Sequence, residues 1–187
     1  MFGNSARKYR LYIALYARDG KCTKTKHEDR YHWAFMVGPK KETKNSWGKR
    51  FHVKRVLRSI GNPPSIESFW SFEEVDVSIG LESMILTRVL IGKVKDLDRL
   101  RLALQRTPFH PELKCWNWVD WIEEAHREVI HDAGALGTCV ADWEAIRDTA
   151  MLYVESKKLA HRFDGGIAHS LTNVPTWDML RRVETTP

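Results

Sequence analysis

Residues 31–40 read YHWAFMVGPK. Apolar side chains fill the run from Trp33 to Val37, and Gly38-Pro39 stops it. A short apolar run with hard punctuation predicts a strand. Its surroundings have the same character. RLYIALYARD (10–19) alternates Leu11, Ile13 and Leu15 against Tyr12, Ala14 and Tyr16, the pattern of a strand largely covered on both faces. The polar loop GKCTKTKHEDR joins the two. Downstream, RFHVKRVLR (50–58) predicts a third strand, and IGNPPSIES (60–68) reads as a turn-rich loop. FWSFEEVDVS (69–78) predicts a fourth strand. MILTRVLIGKV (84–94) predicts a fifth, apolar enough to be central in a sheet.

The periodicity then changes. DLDRLRLALQRT (96–107) places Leu97, Leu100 and Leu104 on one helical face, with acidic residues at its start. TPFHPELKC, with two prolines, is a loop. From Asn117 onward, Trp118, Trp121, Ile122, Ala125 and Val129 follow helical spacing. Asn117 suits the N-cap, Asp120 and Glu123 suit the positive end of the helix dipole, and Gly134 and Gly137 mark the exit. Residues 141–163 predict a further long helix with Trp143, Ile146, Ala150, Tyr153 and Val154 inward. Strands followed by helices predict an α+β fold: an antiparallel sheet of about five strands packed against two or three helices. The expected organisation is a single domain over 1–187, strand-rich over 9–94, helical over 96–163, with an irregular C-terminal wrap over 164–187.

The net charge of +6 is uneven: residues 1–60 carry 16 Lys and Arg against 4 Asp and Glu, and the remainder 14 against 20. A basic half can attract nucleic acid or another anionic ligand, but a solvated basic surface is the favoured reading. The basic N-terminus is followed by no apolar signal region, and no apolar stretch is long enough to span a bilayer. Three cysteines without disulfide-like spacing fit a reducing, cytoplasmic setting.

Phosphate-binding glycine loops, dinucleotide fingerprints, paired Cys-x-x-Cys ligands and serine nucleophile elbows are missing from the sequence. A metal site built from Cys22, His27 and His32 matches no supported ligand spacing, so no metal or cofactor is expected. What remains is His32, in Tyr31-His32-Trp33, and His52, in Phe51-His52-Val53. If their strands pair, both imidazoles can share one face of the sheet. A thiol at a helix N-terminus has a lowered pKa, and a neighbouring histidine completes a nucleophile–base pair. Glu73, Glu74 and Asp76 read as cross-strand partners for the basic half, and the tryptophans 116, 118 and 121 as core packing at helical spacing. Arg162, Asp164 and His169 lie in a glycine-bearing segment that reads as part of the wrap.

YHWAFMVGPK, then RFHVKR, then a helix opened by Asn117 resembles the permuted papain-like superfamily, which includes NlpC/P60-related and lecithin:retinol acyltransferase-like enzymes. Those proteins carry a histidine in a His-Trp-Ala strand and a second polar residue on the next strand. Their nucleophilic cysteine follows in an Asn-Cys motif opening a helix. The resemblance implies His32 as general base, His52 as its orienting group and Asn117 as the motif's asparagine. The neighbouring Tyr31, Trp33 and Trp118 are candidate binding residues. The implied reaction is acyl transfer on an amide, ester or thioester.

The chain also resembles, over nearly its full length, an uncharacterised family of fungal proteins. The likeness runs from RLYIALYARDG through RVLIGKVKDLDRL to DWEAIRDTAM and HRFDG. In that family the helix entry is Trp-Asn-Cys-Val; here it is Trp116-Asn117-Trp118-Val119. Tryptophan is no nucleophile. Three readings stay open: a degenerate member that binds without cleaving, Cys115 acting as the nucleophile in its place, or chemistry in that family that never used the cysteine. A small-molecule or acyl substrate is the expected partner, and nucleic acid the alternative one.

Overall fold

The computed structural model describes residues 8–18, 27–43, 45–79, 84–164 and 173–187. Five strands come first: β1 (Tyr9–Tyr16), β2 (His32–Pro39), β3 (Trp47–Ile60), β4 (Ser65–Ser78) and β5 (Ile85–Val94). Then follow α1 (Leu97–Arg106), α2 (Trp118–His131), β6 (Leu136–Cys139), α3 (Trp143–Leu159), β7 (Thr176–Asp178) and β8 (Val183–Thr186). The strands form one sheet in the order β4-β3-β2-β1-β5-β7-β8, with β6 also pairing β5. All pairs are antiparallel except β5–β7.

The α+β class and the first five strands agree with the sequence pattern, and three differences have physical causes. The sheet has eight strands, not about five. The extra ones are three or four residues long, too short to display a period-2 pattern, and they depend on distant strands for their pairing: β6 and β7 on β5, and β8 on β7. β6 takes Gly92 and Val94, and β7 takes Arg88–Leu90. The C-terminal segment is therefore not an irregular wrap throughout, because β7 and β8 lie within it. Finally, residues 60–68 are not one loop. β3 runs to Ile60 and β4 starts at Ser65, in unbroken register from Trp47↔Ser78 to Ile60↔Ser65.

Alternation explains the packing. Leu11, Ile13 and Leu15 of β1 join Trp33, Phe35 and Val37 of β2 in the main core. α2 lies over β2 and β3, α3 over β1 and β5, and α1 packs on α2. Trp121 of α2 is fully buried, with its ring 6.1 Å from Phe35 and 5.9 Å from Phe72. Burial of such rings at roughly 25 cal/mol per Å² dominates the cohesion of this layer. Intervening residues Tyr12, Ala14, Tyr16, Ala34 and Met36 form a second buried cluster with Val77 and Leu90. That is why β1 reads as covered on both faces. Among the described residues no helix is long and apolar enough to cross a membrane.

Candidate functional site

His32 opens β2, His52 lies on β3, and Glu73 on β4 is the register partner of His52. The three side chains form a chain. His32 Nε2 and His52 Nδ1 are 2.7 Å apart, and His52 Nε2 lies 2.8 Å from Glu73 Oε2. The other Glu73 oxygen accepts from Lys54 Nζ. The hydrogen-bond network assigns the tautomers. An ionised carboxylate only accepts, so His52 Nε2 carries its proton and the neutral ring's Nδ1 accepts. His32 must then donate from Nε2, which leaves its Nδ1 lone pair as the remaining acceptor of the chain.

Electrostatics keeps this state. Burial, then His52, Arg50 and Arg18, push the His32 imidazole down to about 4. Burial also lowers His52, against an opposing pull from Glu73. Hydrogen bonding from Lys54 and His52 holds Glu73 below the usual carboxylate range despite its partial burial. Near neutral pH the site is therefore two uncharged imidazoles ending on an anion.

The helix entry closes the other side. The Asn117 side chain accepts from the Val119 amide at 2.7 Å, and Asp120 accepts from the Asn117 amide at 2.8 Å, a complete capping box. Asn117 is buried, so its role here is to fix the start of α2. Trp118 is the first helical residue. Its ring lies 5.9 Å from that of His32, its N–H donates to the Tyr31 carbonyl at 3.1 Å, and the Arg18 guanidinium sits 4.5 Å over it. Trp70 completes the aromatic wall at 6.4 Å.

The remaining candidates are dispersed. Tyr31 reaches the site through its backbone, while its hydroxyl donates to Glu155 of α3. Trp33 is fully buried in the core, its N–H bonded to the Glu28 carbonyl. Cys115 is exposed and lines a cleft of about 340 Å³ with Asp120, Glu123, Glu124 and Arg127; neither His32 nor His52 lines that cleft. Cys139 sits half-buried on β6, its thiol pushed up by burial. Cys22, His169 and the side chain of His27 fall outside the described residues. Among the described residues, no three His, Cys, Asp or Glu side chains group as metal ligands.

Sequence reasoning missed Glu73 as a partner of His52, although Lys49 does pair Glu74 and Asp76 as expected. The signal was present: reflecting the chain about the four-residue turn 61–64 puts His52 opposite Glu73. Reading residues 60–68 as a loop hid that register.

Fold and site together define an α+β domain whose sheet carries two uncharged histidines linked to a carboxylate beside a helix N-terminus. The chain belongs to a family of unknown function, DUF6914, whose model matches residues 8–186. No curated protein and no solved structure matches it.

Proposed function

We propose that this protein is a papain-like domain of permuted order that has lost its nucleophile and uses the former acyl-transfer site to bind a small molecule. One observation carries the reading. The residue at the first position of α2, beside the His32 ring, is Trp118. An acyl-transfer site of this design needs a thiolate there. The histidine takes the thiol proton, sulfur attacks a carbonyl, and helix N–H groups hold the oxyanion. The indole can do none of the covalent work, and its N–H is committed to Tyr31.

The other parts persist and suit binding. His32 Nδ1 can accept a hydrogen bond from a ligand N–H or O–H. Trp118 and Trp70 offer an apolar wall, and Arg18 on the Trp118 ring adds a cation. The rival reading, catalysis by Cys115, requires that thiol to meet His32. Its place in a cleft lined by neither histidine favours the binding reading.

Trp118→Cys, made with the native cysteines replaced by serine, tests this. A thiol at position 118 should be alkylated rapidly near pH 6, and His32→Ala in the same background should slow it. Labelling with an ordinary thiol pKa near ~8.5, indifferent to His32, would sink the papain-like reading. In the otherwise native protein, fast His32-dependent labelling of Cys115 near pH 6 would restore the catalytic one.

A further inference from the structure

We infer that the sheet carries a second site, a cleft on the face turned away from the helices that binds a small phosphorylated molecule. The cleft has a volume of about 500 Å³, within the usual range of small-ligand pockets. Its cations Arg10, Lys40 and Lys93 lie toward the end of β2 away from His32, and its floor crosses β1 and β5, where Arg88 stands opposite Ala14. Its floor is polar and built: Arg88, 5% exposed, donates Nε to Thr176 Oγ1 at 2.8 Å and grips Glu42 with both terminal nitrogens. The same guanidinium lies 4.6 Å over the Tyr12 ring. The second carboxylate, buried Asp178, accepts from the Arg181 amide and from its Nε at 2.7 Å. Both acids of the cleft are thus neutralised from within.

Three cations are left over. β1 and β5 set Arg10 directly opposite Lys93, and Lys40 follows the end of β2, one strand further over. All three line the cleft, and none has a carboxylate partner among the described residues. Like charges directly opposed across a ladder are destabilising. The fold keeps such a pair beside an uncompensated lysine, at the mouth of a cleft deep enough to take a ligand. A group of two or more negative charges removes that repulsion, and a phosphoryl group offers several acceptor oxygens to ammonium and guanidinium donors. The concave shape, walled by the β7–β8 hairpin, selects a compact ligand over an extended polyanion. This inference stands independently of His32 and Trp118.

Calorimetric titration of the full chain with inorganic pyrophosphate at low salt tests it. One-site saturation is expected, weakening as salt rises. Lys40→Glu and Lys93→Glu should each weaken binding by about tenfold or more. Lys158→Glu, on the exposed side of α3, and His32→Gln should leave it unchanged, with melting curves showing each variant folded. Absence of saturable binding would overturn the inference. So would an equal loss in Lys158→Glu, which marks diffuse charge attraction, or tight binding of a single-stranded oligonucleotide with none of pyrophosphate.

Discussion

Acidification from pH 7 to pH 5 should destabilise the fold through His32. In the unfolded chain this imidazole takes up a proton as pH falls through 6.5, whereas in the folded chain it stays neutral down to about 4. Between those values the unfolded state binds more protons, so stability falls with pH and the loss levels off below the lower value. Integrating between pH 7 and pH 5 gives about 2 kcal/mol for this one group. His52 and His126, both lowered by burial, add in the same direction. Urea unfolding at the two pH values, on the native protein and on His32→Gln, isolates the contribution. The glutamine variant should lose about 2 kcal/mol less on acidification than the native protein. Equal losses in both proteins would refute the reasoning, because His32 would then titrate alike in the folded and unfolded chain.

Three further outcomes follow from the packing. Asn117→Ala removes the cap from the Val119 amide and should cost ~1–2 kcal/mol, with Asn117→Asp recovering most of it in the same urea assay. Trp121→Ala should cost about 3–5 kcal/mol; Trp121→Phe should cost less, because the buried indole N–H has no hydrogen-bond partner to lose. Gly48→Ala should cost at least ~2 kcal/mol, because an added Cβ runs into the Val37 backbone carbonyl and the Ile79 side chain. Its thermal midpoint should fall accordingly.

Legibility of the site followed the length of the pattern that carried it. His32 and His52 were recoverable because each lies in a strand of eight or more residues flanked by alternating apolar positions. Asn117 was recoverable because capping is local: the cap and its acceptor, Asp120, are three residues apart. Glu73 was not read as part of the site, because its place depends on how far the β3–β4 ladder continues through a stretch rich in turn residues. The place of Cys115 in a cleft lined by neither His32 nor His52 was equally out of reach, since closeness to a helix N-cap in sequence does not say which cleft a loop side chain enters.

By itself the sequence determined the α+β class, the five long strands, the helix faces and a tryptophan, not a cysteine, at position 118. Those rest on periodicity and residue identity, which act over a few neighbouring residues. Only the tertiary structure decided the rest. It joined His32, His52 and Glu73 into one hydrogen-bonded chain, recruited the short β6 and β7 to β5 and β8 to β7, and set Arg10 against Lys93 beside the Arg88–Glu42 pair. Each of these links residues distant in the chain. Their free energy comes from edges and charges that other elements must first present, so no local pattern announces them.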